Sequence, residues 1–156
     1  MRSCQPCLLY TSKRIVPGVK QVHLTPGGVA RYHAVIQMAK DNEYQPRQAA
    51  LCAFAADRDL KHVVVVDEDV DPFDAQQVEW AIATRFQADR DLFVVPDCEG
   101  SPLEPSHLVR GKTAKMGLDA TKPIGDARFD LTHIPGEEDL RLEDYFTTDP
   151  ANTVKG

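Results

Sequence analysis

The sequence lacks the features that mark several broad classes of protein. It contains no apolar run close to the roughly 20 residues that a membrane-spanning helix needs, and its N-terminus has no charged-then-apolar signal segment. The formal net charge is -6 without a basic stripe, which argues against a nucleic-acid partner. The four cysteines do not look like a secreted disulfide framework, because Cys52 falls on a predicted core helix. We therefore expect a cytoplasmic protein with neither a membrane nor a nucleic-acid partner.

Two binding motifs are present only in part. Cys4 and Cys7 form a C-x-x-C pair, but zinc needs further ligands and no second closely spaced Cys or His pair follows. A redox pair would follow a strand at the start of a helix, whereas this pair stands near the N-terminus, so we expect it to be incidental. The stretch Arg110–Thr121 lacks the spacing of a Walker loop. It still predicts a loop in which Lys112 and Lys115 act as point charges for a phosphate.

The strongest local pattern lies between residues 61 and 86. Lys61–Val66 is short, β-branched and bounded by turn residues, which predicts a buried strand. Four carboxylates crowd the end of this strand, at Asp67, Glu68, Asp69 and Asp71. Asp74, with Gln77 three residues later, then forms a capping-box pattern that predicts the start of a helix. The apolar stripe of this helix contains Val78, Ile82 and Phe86, with Ala81 and Arg85 beside it.

The remaining patterns complete an α/β layered sandwich with a mixed, partly parallel sheet and helices packed on it. Val19–Leu24 and Val29–Met38 predict a β-hairpin around a turn with positive φ available at either of its glycines, Gly27 and Gly28. His23 and His33 lie on these strands and are expected to be exposed or at the edge of the core. The other predicted elements are a helix at Pro46–Asp57, a strand at Asp91–Val95 and a long loop at Asp97–His107.

Three segments are expected along the 156 residues: an N-terminal extension at 1–14, one domain at 15–125, and an acidic tail at 126–156. The tail surrounds a few apolar side chains with carboxylates, which predicts either a short amphipathic docking helix or a segment that stays disordered until it docks. In the helix after residue 74, Trp80 lies about 200° around the axis from Val78. The indole is therefore covered either by its own domain or by another chain.

The carboxylates after the central strand allow two interpretations. Asp67, Asp69 and Asp71 form two D-x-D patterns, and carboxylates at a strand end can hold Mg²⁺ for phosphoryl or glycosyl transfer. D-x-D is a weak signal because common residue types recur by chance. The alternative is structural, with some acids solvating a loop and others stabilising the positive N-terminus of the helix. We predict no metal site here, and we keep a Mg²⁺-dependent transferase as the alternative function.

Several motifs taken together closely resemble the C-terminal domain of UbiD-type decarboxylases, over roughly residues 16–123. The family pattern is a hydrophobic strand, an acidic loop, a helix with V-x-W-A-[IL]-x-T-R, a D-[RQ]-D segment and then K-x-G-[LI]-D-A-T. Each piece stands in this order here, as Asp67–Asp71, Val78–Arg85, Asp89–Asp91 and Lys115–Thr121. The resemblance implies that the chain is related to enzymes that remove carboxylate from aromatic or α,β-unsaturated acids. Those enzymes use prenylated flavin mononucleotide (prenylated FMN).

The same resemblance implies that most of the active site lies outside this chain. In such enzymes the flavin, its divalent metal and the catalytic arginine and glutamates belong mainly to other domains, which this sequence does not match. We therefore predict no catalytic residue here and no flavin bound by the chain alone. The implied partner is a flavin-bearing UbiD-like large subunit, in a homo- or hetero-oligomer. The resemblance also implies a flavin phosphate contact at Lys112 or Lys115 and leaves the choice between them open.

Three functional hypotheses follow. The first is a UbiD-like C-terminal domain that serves assembly and flanks the flavin site of a partner chain, and that is inactive alone. The second is the Mg²⁺-dependent transferase. The third is a non-catalytic assembly module that has kept the fold and lost the chemistry.

Overall fold

A computed structural model describes residues 5–129 and Gly136. Within residues 5–129 the chain forms three α-helices, five strands and two short 3₁₀ turns. In chain order the helices and strands are α1 (Gln5–Ile15), β1 (Val19–Leu24), β2 (His33–Met38), α2 (Gln45–Ala56), β3 (His62–Asp67), α3 (Ala75–Arg85), β4 (Leu92–Glu99) and β5 (Lys112–Ala120). None of the helices among the described residues is long and apolar enough to span a membrane.

The sheet has the order β1-β2-β3-β5-β4, with β3 at its centre. Strand β3 runs parallel to β2 and to β5, whereas the outer pairs β1–β2 and β4–β5 are antiparallel. The predicted mixed, partly parallel sheet is therefore confirmed. A central parallel strand is buried on both faces, which explains why β3 is a continuous run of valines rather than an alternating one.

Helices cover both faces of the sheet and form two core layers. On one face, Val63 and Val65 of β3 pack in the same cluster as residues of α1 and α2, among them Ala49, Ala50 and Ala53 of α2. These alanines are fully buried, and their small side chains let the helix backbone lie close to the strands. On the other face the cluster joins Val64 and Val66 to Val78 and Ala81 of α3.

The predicted hairpin between β1 and β2 is present, but its turn differs from the prediction. Positive φ falls at Val29 (53°) and Ala30 (50°) rather than at Gly27 or Gly28. The first residues of the turn instead form a 3₁₀ turn at Pro26–Gly28, so β2 begins only at His33. The Thr25 hydroxyl accepts a hydrogen bond from the Gly28 amide and fixes this turn. Gly28 is needed for space, since a Cβ there would lie 2.4 Å from the Cβ of His33.

The N-terminal segment takes part in the core. Sequence patterns gave no helix before residue 46, yet α1 spans Gln5–Ile15 and Leu8 is only 2% exposed. The signal was weak because α1 offers few apolar side chains and joins the core mainly through Leu8 and partly buried Leu9. Cys7 lies on an exposed part of this helix. Cys4 and the predicted docking helix of the acidic tail lie outside the described residues.

Most of the stretch Arg110–Thr121, predicted as a loop, is strand β5 instead. This strand lies between β3 and β4 and pairs with both. The sequence pattern did not predict this strand, because the stretch contains three cations and two glycines and neither residue type favours a strand. Gly117 is required by a neighbour across the strand pair: a Cβ there would lie 2.2 Å from Cζ of Phe93. Phe93 itself is 8% exposed and packs edge-on against Phe54.

Gly117→Ala tests this close approach. The added methyl forces the Phe93 ring out of a packed position, and we expect a loss of about 1–3 kcal/mol in the free energy of unfolding, measured with urea. Gly27→Ala is the matched control, because nothing lies within 4 Å of a Cβ there. Equal stability for the two variants would show that Phe93 has room to move.

Candidate functional site

The carboxylates at the end of β3 are held by one arginine from the end of α3. Nη1 of Arg85 donates to Oδ2 of Asp67 at 2.7 Å, and both terminal nitrogens donate to the two oxygens of Asp69 at 2.9 Å. The Arg85 side chain is fully buried. A bidentate arginine–carboxylate pair fixes geometry as well as charge, so this contact sets the position of α3 against the sheet.

The chain after β5 completes the cluster. The Lys122 amide donates to Oδ2 of Asp67 at 2.7 Å, and Nζ of Lys122 lies 3.4 Å from Oδ2 of Asp69. Nη2 of Arg85 also donates to the carbonyl of Phe129 at 3.1 Å. The ends of β3, α3 and β5 therefore meet at one ionic cluster, which we call the Arg85 cluster: Asp67, Asp69, Arg85 and Lys122.

The two aspartates differ in their ionisation. Burial raises the pKa of Asp67 above its ordinary value, despite hydrogen bonds from the Lys122 amide and the charge of Arg85. Burial also opposes ionisation of Asp69, but hydrogen bonding and charge from Arg85 outweigh it and lower the pKa of that carboxyl. Asp69 is therefore the firmly ionised partner of the guanidinium, since it is the more exposed of the two.

This arrangement favours the structural interpretation of the acidic loop over a Mg²⁺ site. Oδ2 of Asp67 and both carboxylate oxygens of Asp69 already accept hydrogen bonds from Arg85. Asp71 is also occupied, because its Oδ1 accepts the amide of Phe73 at 2.9 Å. In the part of the chain that the structure describes, no group of three His, Cys, Asp or Glu residues is placed to hold a metal ion.

Asp74 is the N-cap of α3, as predicted. Its Oδ1 accepts the amides of Gln76 at 2.9 Å and Gln77 at 3.4 Å. Gln77 departs from the usual capping box, because its side chain contacts the Asp74 carboxylate at 3.1 Å and the Asp71 amide at 2.9 Å. The acidic loop is thereby joined to the first turn of the helix.

Trp80 is covered at least in part by its own domain. The indole is partly buried and packs against the cluster of β3 valines and α3. The guanidinium carbon of Arg85 lies 4.9 Å from the centre of the indole ring, within the range of a cation–π contact. Trp80 therefore shields the Arg85 cluster from water on one side.

Lys112 and Lys115 occupy different environments although both lie on β5. Because side chains alternate along a strand, residues three apart point to opposite faces. Lys115 is 3% exposed, and its ammonium donates to the carbonyls of Arg58 at 2.8 Å and Leu60 at 2.6 Å. Burial lowers the pKa of Lys115. Lys112 is largely exposed and forms an ion pair with Asp97 at 2.7 Å.

Lys112 borders an open groove of about 500 Å³ between β4, β5 and the loop that joins them. Lys61, Ser106 and His107 also line this groove, which we call the Lys112 groove. The loop beyond it carries Leu108, whose side chain is fully exposed. Asp97, which also lines the groove, has a positive φ of 58°, a conformation that asparagine and aspartate tolerate better than most residues.

Glu104 fixes the base of this loop. Its Oε1 accepts the ammonium of Lys61 and the amide of Ser106, at 3.0 and 2.7 Å, and its Oε2 lies 3.4 Å from Nδ1 of His107. The Glu104 side chain is only 6% exposed. Hydrogen bonds from the side chain and amide of Ser106, with help from Lys61, outweigh burial and lower the pKa of Glu104 to about 2. The sequence gave no sign of this contact, which joins residues 43 positions apart.

The fold and these contacts define an α/β domain with helices on both faces of the sheet, an ionic cluster at the carboxyl end of its central strand, and an open, lysine-bordered groove at the other end. Comparison with known proteins then gives the family. Residues 6–120 match the family described as the 3-octaprenyl-4-hydroxybenzoate carboxy-lyase C-terminal domain. The chain belongs to this UbiD C-terminal-domain family.

Similar proteins include decarboxylases from archaea and bacteria. The chain is 53% identical over 125 residues to anhydromevalonate phosphate decarboxylase of Aeropyrum pernix, covering 80% of this chain and 28% of that protein. It is 41% identical over 130 residues to gallate decarboxylase of Lactiplantibacillus plantarum, covering 75% of this chain and 26% of that protein.

Solved structures give the same family, and the chain again covers only part of them. The UbiD-class enzyme HmfF from Pelotomaculum thermopropionicum, in complex with FMN, superposes with a TM-score of 0.85 at 47% identity. That match covers 91% of this chain and 32% of HmfF. The chain thus spans less than a third of the length of these relatives.

The first prediction from the site concerns Arg85. Arg85→Met keeps much of the apolar volume but leaves Asp67 and Asp69 without their counter-charge, and we expect a loss of about 3–5 kcal/mol in urea unfolding. Arg58→Met is the control, since the Arg58 side chain is 61% exposed and its ion pair with Glu99 contributes little. Equal losses in the two variants would show that the Arg85 cluster does not hold α3 in place.

The second prediction concerns Glu104 and pH. A carboxyl whose pKa is depressed on folding stabilises the protein above its unfolded pKa, near 4.5, and loses that contribution as pH falls towards its folded pKa of about 2. We expect Glu104→Gln to be about 1–3 kcal/mol less stable than the wild type at pH 7. This difference should shrink between pH 4.5 and 2.

Glu99→Gln is the control for the pH series, because the Glu99 side chain is 68% exposed. Its stability should track that of the wild type throughout the series. A gap between Glu104→Gln and the wild type that stays constant down to pH 2 would contradict a depressed pKa at Glu104.

Proposed function

We propose that this chain acts as the C-terminal domain or small subunit of a UbiD-type (de)carboxylase whose flavin-bearing part lies outside the described residues. The observation that carries the proposal is the family match over residues 6–120, in a chain that spans under a third of its relatives. The substrate class is an aromatic or α,β-unsaturated carboxylic acid. In this proposal the domain serves assembly, flanks the flavin of a partner chain in the cytoplasm, and is inactive alone.

The residues present fit a peripheral contact with prenylated FMN rather than a complete flavin site. Related HmfF structures contain FMN and prenylated FMN. When bound, such a cofactor supplies the electron sink for decarboxylation, and the protein supplies binding and orientation. In this chain Lys112 is the better phosphate ligand, because its ammonium is exposed beside an open groove. Lys115 would first have to leave the carbonyls of Arg58 and Leu60.

The Glu104 contacts support this role by positioning the groove. The Lys61–Glu104 ion pair joins the start of β3 to the loop after β4, and Lys112 follows that loop directly. A loop fixed at its base holds its rim in one place, which lowers the entropy lost on binding a partner or a phosphate. The ionic pair between Lys112 and Asp97 would exchange for a phosphate contact without leaving a buried charge unpaired, since both side chains are exposed.

The structure bears differently on the Mg²⁺-dependent transferase and on the non-catalytic assembly module. The Mg²⁺-dependent transferase is disfavoured because the guanidinium of Arg85 occupies the Asp67 and Asp69 oxygens. A non-catalytic assembly module remains distinguishable by experiment, since it would bind a flavin-bearing partner without changing that partner's activity. The divalent metal of the family belongs, in our proposal, to the partner as well.

The experiment that tests the proposal compares the chain alone with the chain co-expressed with an adjacent truncated UbiD-like frame of its source genome. Alone, we expect no stoichiometric flavin absorbance and no CO₂ release from aromatic or unsaturated acids. Together, we expect a stable complex that carries flavin and decarboxylates. Stoichiometric flavin or steady CO₂ release from the chain alone would overturn the proposal, and a complex without activity would favour the assembly module.

Lys112→Ala probes the groove within that complex. Loss of one ammonium contact to a phosphate should weaken flavin retention about tenfold while the complex still forms. Lys20→Ala, at an exposed position of β1, is the matched control and should retain flavin like the wild type. Unchanged flavin retention in Lys112→Ala would remove this lysine from the proposed site.

A further inference from the structure

Strand β4 is an outer strand of the sheet, and its first half has an unpaired edge. The Asp119 amide donates to the Asp91 carbonyl at 2.9 Å, so Asp91 faces β5. Hydrogen-bonding direction alternates along an antiparallel pair. Phe93 therefore also faces β5, whereas the amides and carbonyls of Leu92 and Val94 point outwards. Within residues 5–129 no strand of the sheet lies beyond β4 to meet these groups.

The side chains at this edge are apolar and exposed. Val94 is 56% exposed and Leu92 is 36% exposed. Both lie on the α3 face of the sheet, because their opposite residues on β5 are Met116 and Leu118, and Leu118 packs against the cluster that contains α3. An unpaired edge that also exposes apolar side chains is a template for pairing with another chain.

Apolar side chains are also exposed on the other face of the sheet, beside the same edge. A groove of about 280 Å³ lies between α2 and the start of β4, and its lining includes Tyr44, Leu51 and Phe93. Tyr44 and Leu51 are both exposed. A strand added to β4 would lie next to this groove, so it would remove apolar surface from water on both faces of the sheet.

The other edges of the sheet carry features that oppose pairing. In the second half of β4, Pro96 has no amide hydrogen, and the register shifts between Val95 and Cys98. Strand β1, at the opposite end of the sheet, has an exposed Lys20 and a register shift after Val19. Prolines, charged side chains and bulges prevent edge-to-edge pairing, and the first half of β4 has none of them.

We propose that two copies of this chain pair through the first halves of their β4 strands, antiparallel and about a two-fold axis at Phe93. In this register Leu92 of each copy lies opposite Val94 of the other, so the outward amides and carbonyls of both residues are met. The two five-stranded sheets then form one continuous sheet. The pairing involves only this chain and does not depend on the function proposed above.

The two neighbouring symmetric registers leave edge groups unmet. A two-fold axis at Val94 would place Leu92 opposite Pro96, which has no amide hydrogen. An axis at Leu92 would place Val94 opposite Arg90, whose amide already donates to the carbonyl of Gln87. The edge is therefore self-complementary in the proposed register, which favours a second copy of the chain over an unrelated strand.

Sedimentation of the full chain over a range of concentrations is the first test. We expect a dimer whose fraction rises with concentration. Val94→Lys places an ammonium group at the paired edge of both copies, and we expect it to raise the dimer dissociation constant at least about tenfold. Urea unfolding of the variant checks that the fold is intact.

Ile15→Lys is the matched control, because it also replaces an exposed apolar side chain by lysine, at the end of α1. This variant should dimerise like the wild type. A wild-type chain that stays monomeric up to about 100 μM, or a dimer that Val94→Lys leaves intact, would overturn the proposal.

Hydrogen exchange of the wild-type amides tests the same edge without any variant. Exchange at Leu92 and Val94 should slow as the fraction of dimer rises, because these amides are hydrogen-bonded only in the dimer. Exchange at Lys20, on the opposite outer strand, should not change with concentration. Protection at Lys20 in place of Leu92 and Val94 would put the contact at β1 and overturn the proposal.

The flavin-bearing partner is the other candidate for this edge. If the Leu92 and Val94 amides exchange freely in the chain alone and become protected only in complex with that partner, the edge belongs to the partner and the proposal fails. A dimer of this chain in which both amides are protected supports the proposal, whatever the outcome of the flavin experiment.

Discussion

The buried contact between Arg85 and two aspartates is the constraint on which the carboxyl end of the sheet depends. It joins the last residue of β3 to the last residue of α3, and through Lys122 and Phe129 it also holds the chain that leaves β5. A guanidinium with a fully buried side chain is tolerated only because its charge is met by carboxylates in fixed geometry. Asp67 and Asp69 of the acidic loop therefore help to join β3, α3 and the chain that follows β5.

The opposite end of the sheet uses a second buried cation in the same way. The ammonium of Lys115 is held by two backbone carbonyls of the segment between α2 and β3, which ties β5 to that segment. Three residues earlier on the same strand, Lys112 is left exposed beside an open groove. Strand alternation thus places one lysine in buried contacts with carbonyls and the other at an exposed surface. The family resemblance alone does not distinguish them.

The family and the size of the chain together define what kind of function to expect. The chain belongs to the UbiD C-terminal-domain family and spans about a third or less of related decarboxylases. The described residues form an α/β domain with several surface grooves, of which the Lys112 groove is one. In the function that we propose, the domain holds surfaces in place for a larger enzyme, and fixed elements lower the entropy lost on binding. The Lys112 groove is bordered by the ammonium groups of Lys61 and Lys112, whereas the groove between the β1–β2 hairpin and α3 is largely apolar.

The sequence alone determined the central strand, the Asp74 cap, the β1–β2 hairpin and the α/β class, because these depend on short-range patterns of apolar residues and turn signals. The motif order from Asp67 to Thr121 also identified the family. The tertiary structure decided the features that depend on distant partners. Strand β5 could not be predicted because Lys115 and Gly117 suit a strand only beside the Leu60 carbonyl and the Phe93 ring. Helix α1 could not be predicted because few of its side chains reach the core. Local sequence likewise could not show that Arg85 is the partner of Asp67 and Asp69. Arg85 lies 18 residues from Asp67 along the chain and contacts it only after α3 packs against the sheet.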